Sequence, residues 1–162
     1  MRSLVALVVF VAAPSIAQTG LTPSVAYDFG HQSPTVGLAF EVGLPRGPLP
    51  FAPSVRPSAE YVFRDRSAEF SYGRGVEVFR GDLDVLARFM APGAPFAPYA
   101  KAGVAVDVMT WKVPFLGPGG PTSDSQVIPT IGAGAAFGRL GVELTVGLGE
   151  NGTGRLSTGY RF

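Results

Sequence analysis

From Phe79 to Phe89 every odd position is apolar or glycine, while the even positions carry four charges, Arg80, Asp82, Asp84 and Arg88. A period of two places the two sets on opposite faces of an extended strand, because successive side chains in a strand point to opposite sides. The same pattern returns in residues 100–108, where Lys101 and Asp107 face away from Ala102, Val104 and Val106, and again in residues 140–148 and 155–162. Four weaker segments are compatible with it: residues 24–30, 35–44, 55–64 and 127–138. Pro57 and Pro129 interrupt two of these, and proline lacks the N–H a ladder needs, so their registers are the least constrained.

Hydrophobicity of this kind is spread thin. Beyond the first residues no segment is apolar for the roughly 20 residues that a helical membrane span requires, yet each strand has one apolar side over about the 9 to 11 residues that a tilted transmembrane strand uses. Gly and Pro are abundant for a soluble domain, at 22 and 15 residues. The expected fold is therefore all-β, an eight-stranded antiparallel up-and-down transmembrane β-barrel.

The start of the chain reads differently. Met1-Arg2-Ser3 precedes an apolar run from Leu4 to Ala13, then Pro14-Ser15-Ile16-Ala17, which is the charged start, apolar centre and small-residue exit of a secretory signal peptide. The expected division is a signal peptide at 1–17, cleaved after Ala17, and one barrel domain at 18–162. Removing Arg2 with the signal leaves twelve Lys and Arg against twelve Asp and Glu, a balance that gives no ground for nucleic-acid binding. With no cysteine, the fold has neither disulfides nor thiolate metal ligands.

With the N-terminus in the periplasm, residues 64–75 and 110–126 become outer loops, the second rich in Gly, Pro, Ser and Thr. Gly138-Arg139 makes a tight turn at the opposite end. The two remaining connections there carry a repeat, Pro50-Phe51-Ala52-Pro53 and Pro95-Phe96-Ala97-Pro98, spaced by one hairpin pair. The up-and-down path gathers Tyr27, Phe29, Tyr61, Phe63 and Phe79 at the outer rim and Phe89, Phe137, Tyr160 and Phe162 at the inner rim, the two aromatic belts of a membrane barrel. Strand parity sends seven acids (Asp28, Glu41, Glu60, Asp82, Asp84, Asp107 and Glu143) and seven bases (Arg56, Arg64, Arg80, Arg88, Lys101, Arg155 and Arg161) to the charged face. Eight strands enclose a lumen that side chains can fill, so a balanced charge network there plugs it. Trp111 points inward or into a loop.

The terminal Gly159-Tyr160-Arg161-Phe162, with a final aromatic and another two places before it, resembles the C-terminal strand signature of bacterial outer-membrane proteins. The mature length is similar to that of the OmpA/OmpX-like superfamily. That resemblance implies an outer-membrane location, lipid and the barrel-assembly machinery as partners, recognition of Tyr160 and Phe162 during assembly, and no cofactor. Some small barrels of similar size are lipid A hydrolases that use a His, a Ser and a carboxylate on the lipid-facing side of the last strands. Here Ser157 and Glu143 have lumen parity, and the single histidine, His31, falls in a short connection where a solvated role is expected. Asp82 and Asp84 read as lumen charges, and the Gly-rich stretches at 117–120 and 132–134 lack the Lys and Ser or Thr of a phosphate loop.

Three functions remain open on the sequence. The first is a non-enzymatic barrel with a structural, adhesion or surface-interaction role, meeting an extracellular partner through its outer loops. The second is a small-solute channel. The third is a soluble periplasmic lipocalin-like barrel, in which the alternating apolar face lines a ligand cavity.

Overall fold

The computed structural model describes residues 20–45, 48–65, 76–89, 96–111, 122–149 and 153–162. The expected signal peptide and most of the loop at 64–75 lie outside these residues. Eight strands follow in chain order: β1 (Gly20–Asp28), β2 (Ser33–Gly43), β3 (Ala52–Asp65), β4 (Val76–Arg88), β5 (Ala97–Trp111), β6 (Thr122–Phe137), β7 (Leu140–Gly147) and β8 (Gly154–Tyr160). Each pairs antiparallel with its neighbours in sequence, and β8 returns to β1, so the sheet closes into an up-and-down barrel. Closure leaves no full-length edge, which is how a chain without disulfides satisfies its backbone.

Closure also decides which face is which. Asp28, Arg80, Asp84, Lys101 and Asp107 are buried inside, whereas Leu83, Val85, Val104, Ile131 and Leu144 are exposed on the outer wall. An interior of charges within a wall of exposed aliphatic side chains is the reverse of a soluble barrel, and the lipocalin-like arrangement, with its apolar lining, does not occur. The outer wall suits lipid: its apolar surface would be costly in water and its backbone is satisfied by the ladders.

The two prolines are accommodated differently. In β3 the ladder to β2 lapses between the Ala39–Ser58 and Val42–Val55 pairs and resumes in the same register, with exposed Pro57 inside the gap. Pro129 lies well within β6, not near its start, at the level where β7 ends. Its missing N–H faces Leu148, whose own N–H still bonds the Pro129 carbonyl at 2.7 Å, so the loss falls at the very end of that ladder.

Strand ends depart most from the sequence expectation. The segment Thr122 to Gln126, expected in an outer loop, is strand, because β5 also runs on to Trp111 and the two pair throughout. Backbone pairing holds them after the alternating apolar pattern has faded. Likewise β3 continues to Asp65 through a register shift between Val62 and Asp65. The wall is uneven as a result: β3 to β6 have 14, 13, 15 and 16 residues, against 9, 11, 8 and 7 in β1, β2, β7 and β8.

At the end holding both termini, Gly138 takes a φ of 61° to begin its two-residue turn, a conformation glycine adopts without strain. Both copies of the repeat do the same job there. The second proline of each accepts a hydrogen bond from the residue after the preceding strand, Leu44 N–H to Pro53 and Phe89 N–H to Pro98, both at 2.9 Å. The phenylalanines match too: Phe51 packs on Phe89 with ring centroids 6.1 Å apart, and Phe96 on Phe137 at 5.9 Å. Tyr160 packs on Phe162 at 5.1 Å, so this rim carries three aromatic pairs among the described residues.

Candidate functional site

The lumen holds most of the chain's chemistry in layers along the barrel axis, set by the even positions of β4 that descend from the loop end. Closest to the loops, Arg80 donates from Nη1 to Asp28 Oδ2 at 2.6 Å and clasps Asp107 through Nε and Nη2 at 2.6 and 2.7 Å. A planar guanidinium suits this position because its fixed fork can hold one carboxylate in two places and still reach another. His31 joins the layer. Its backbone N–H donates to Asp28 Oδ1 at 2.9 Å and its Nε2 lies 3.4 Å from Asp107 Oδ2. The expectation of a solvated histidine fails, because the turn after β1 folds the ring into the lumen mouth, where it is 9% exposed.

Below it, Arg155 reaches Glu60 at 2.5 Å and Asp82 at 3.6 Å, while Ser58 donates to Asp82 at 3.2 Å. The next layer is a four-member cluster: Lys101 bridges Asp84 and Glu143, both at 2.8 Å, and Arg56 spans the same two carboxylates at 3.2 and 2.6 Å. Tyr99 and Thr145 donate to Glu143 at 2.9 and 3.1 Å. Nearest the termini, Arg88 holds Glu41 in a two-point clasp at 2.9 and 2.5 Å, with Ser54 donating to the same carboxylate. Arg161 lines the mouth beyond it. The side chains of Arg64 and Trp111 lie outside the described residues. In such a low-dielectric interior each charge needs its partner, and most have two.

Three features of this interior carry no sequence signal of their own. Tyr99 has lumen parity but sits in an apolar-looking start to β5. Glycine makes room for it: a Cβ on Gly134 would lie 2.5 Å from the Tyr99 ring, and one on Gly132 would lie 3.0 Å from Lys101 Cε. These glycines thus serve the neighbouring strand's long side chains. The third is an apolar cap at the loop end, where Val62, Val76 and Val78 are buried together against Met109. At the opposite end a cavity of about 80 Å³ opens among Thr22, Arg56, Tyr99, Glu143, Arg155 and Arg161. A water needs roughly 10–15 Å³ of such space, so it admits several. The Nε atoms of Arg56 and Arg155 have no hydrogen-bond partner among the described residues, and water in this space would satisfy them.

The chemistry available is electrostatic. Ser157 lines the cavity at the terminal end, and its hydroxyl lies 3.5 Å from the Glu143 carbonyl, whereas His31 sits at the loop end. The structure does not bring His31, Ser157 and Glu143 together. Among the described residues no group of three or more His, Cys, Asp or Glu is arranged to hold a metal ion.

No family model matches the sequence, and no curated protein does so significantly. Solved structures are informative about the fold. The N-terminal β-barrel domain of Pseudomonas aeruginosa OprF superposes with a TM-score of 0.63 at 18% identity, covering 89% of this chain and 96% of that domain. The fold is that of a small outer-membrane β-barrel. Neisserial surface protein A (NspA) gives a TM-score of 0.54 at 12% identity, over 88% of this chain and 92% of its own. The outer membrane enzyme PagL gives 0.52 at 14% identity, over 88% and 98%. An enzyme therefore shares this barrel fold, and the residues inside must decide between roles.

On this barrel the nine aromatics of the two rims are all exposed on the outer wall. Tyr27 packs on Phe29 and Tyr61 on Phe63 at the loop end, with ring centroids 5.3 and 5.4 Å apart, while Phe89, Phe137, Tyr160 and Phe162 lie at the terminal end. Phe51 and Phe96, read in the sequence only as parts of a repeat, extend that second rim.

Proposed function

We propose that this chain is a non-enzymatic outer-membrane barrel with a plugged lumen, acting at the cell surface through the end opposite its termini. The observation that carries the reading is the closed set of ion pairs across the lumen, from Arg80 with Asp28 and Asp107 down to Arg88 with Glu41, topped by the Val62, Val76, Val78 and Met109 cap. A path for solutes would have to break several buried pairs in series and part an apolar seal, each a cost of about 3–5 kcal/mol for a pair. A role in binding at the surface leaves this interior undisturbed.

The remaining parts of the proposal follow. The outer membrane is supported by the exposed aliphatic wall and by the fold likeness to OprF's barrel domain. Residues 1–17 serve as the export signal and residues 18–162 as the barrel. Tyr160 and Phe162 present the terminal signature to the assembly machinery, the two aromatic rims sit at the lipid interfaces, and residues 64–75 and 110–126 meet the extracellular partner. The absence of catalysis is supported by the separation of His31 from Ser157.

Two measurements test this. In purified outer membranes the unboiled protein should migrate faster in detergent gels than the boiled protein, and recovery only in the soluble periplasmic fraction would defeat the reading. In planar bilayers the purified barrel should show no discrete conductance; steady single-channel steps would replace the plug with a pore.

A further inference from the structure

Arginine dominates the cavity at the end that holds the termini. Arg56, Arg88, Arg139, Arg155 and Arg161 all line it, against the three acids Glu41, Glu60 and Glu143. Those acids are already engaged: Arg88 and Ser54 hold Glu41, Arg155 holds Glu60, and Glu143 receives Arg56, Lys101, Tyr99 and Thr145. Directly behind the lining lie Lys101, Asp84 and Asp82, the first two paired with each other and the third 3.6 Å from Arg155. With them included, six side-chain cations face five side-chain anions among the described residues.

The arginines also differ in how they use their donors. Arg80 and Arg88 each commit Nε together with Nη2 to a single carboxylate. Among the described residues Arg56 reaches its two acids through Nη2 and Arg155 its two through Nη1, and the buried Nε of each has no hydrogen-bond partner. A buried charged donor without an acceptor is costly, so two of them beside one cavity call for an acceptor inside it. Water supplies lone pairs but no charge to set against the surplus cation.

Room for something larger than one water is present. Where a Cβ on Gly132 or Gly134 would run into Lys101 or Tyr99, a Cβ on Gly141 would meet only the Gly159 carbonyl, at 3.9 Å, and Gly141 lines this cavity. Its volume of about 80 Å³ equals several waters at roughly 10–15 Å³ each, space enough for an anion of five heavy atoms. The residue type narrows the ligand. Planar guanidinium donors match the oxygens of carboxylate and phosphate, whereas lysine, which acts as a point charge, is missing from the lining. We propose that this cavity binds a small oxyanion of the phosphate class, which accepts from Nε of Arg56 and Arg155 within the positive field of Arg139 and Arg161. The site lies at the end opposite the surface role proposed above and does not depend on it.

The barrel purified in dodecyl maltoside, a detergent without phosphate, can be titrated with inorganic phosphate while the arginine Nε–H signals are followed by heteronuclear NMR. The signals of Arg56 and Arg155, assigned through Arg56→Lys and Arg155→Lys, should shift saturably while that of Arg80 stays in place, and sulfate should compete. Arg155→Lys keeps a cation beside Glu60 but lacks Nε, and should bind phosphate at least ten-fold more weakly. Gly141→Met fills the cavity without changing a charge, and should abolish the shifts in a barrel that keeps its heat-modifiable mobility. Signals that stay in place at tens of millimolar phosphate, or that move equally in Gly141→Met, would overturn the proposal and leave water as the acceptor. Movement with phosphatidylglycerol in mixed micelles but not with inorganic phosphate would overturn it as well, making the occupant a lipid headgroup and not a free anion.

Discussion

Arg80 touches two carboxylates that no other described arginine or lysine approaches within ion-pair distance, Asp28 and Asp107. Replacing it with leucine strands both acids in a dry interior, and Arg80→Leu should lower stability in detergent by about 3–5 kcal/mol, read as an earlier urea midpoint. An unchanged midpoint would mean that water, not Arg80, balances those acids. Gly134→Val should act through a different cause. The new side chain needs the space of the Tyr99 ring, so the Tyr99 hydroxyl should leave Glu143 at a cost of about 1–3 kcal/mol, visible as lost quenching or a shifted tyrosine spectrum. At this scale the sequence tells charge from its absence and little else. Alternation placed Arg80, Asp82 and Asp84 on one face, but Val76 and Val78 on that same face carry no charge to mark them as lumen, and the glycines at 132 and 134 look like breaks until Lys101 and Tyr99 are seen to fill them.

Among the elements, strand centres were legible because burial on one side enforces the period of two, and strand ends were not. Beyond the lipid both faces of a strand meet water, so the alternation vanishes while the ladder continues, as in Thr122 to Gln126. Proline effects also belong here. In β3, Pro57 sits where the ladder to β2 lapses, and Pro57→Val should restore a donor and raise stability by about 0.5–1.5 kcal/mol; an unaltered urea midpoint would show that the gap has another cause. The repeated Pro-Phe-Ala-Pro elements make a paired prediction. A double-mutant cycle between Phe51 and Phe89 and one between Phe96 and Phe137 should each give a coupling of about 0.5–1.5 kcal/mol, since the two ring pairs are built alike. Zero coupling in both would reduce the repeat to its hydrogen bonds.

For the molecule as a whole the two ends differ, one sealed by valines and the other hollowed by the cavity. The chain contains no cysteine, so introduced thiols report on this directly. Thr22→Cys, on the cavity wall, should react with a small methanethiosulfonate reagent supplied at the end holding the termini, whereas Val78→Cys, inside the cap, should resist it from either side. Reaction of both at similar rates would mean a continuous aqueous path. The overall architecture could be anticipated from eight alternating segments, but the asymmetry could not, because it depends on which strands outlast their neighbours and which valines happen to meet.

The closing seam between β1 and β8 pairs Ser24 to Asp28 with Arg155 to Gly159 and gains one further bond at each end, Phe29 N–H to Gly154 and Phe162 N–H to Leu21, whereas β5 and β6 are joined along the whole of β5. Under mechanical load that difference becomes a weak line in the cylinder. Drawn out by its C-terminus with an atomic-force tip, the barrel should unzip along that seam, releasing its last strand at the smallest force and yielding the β5 and β6 hairpin as the stiffest remnant.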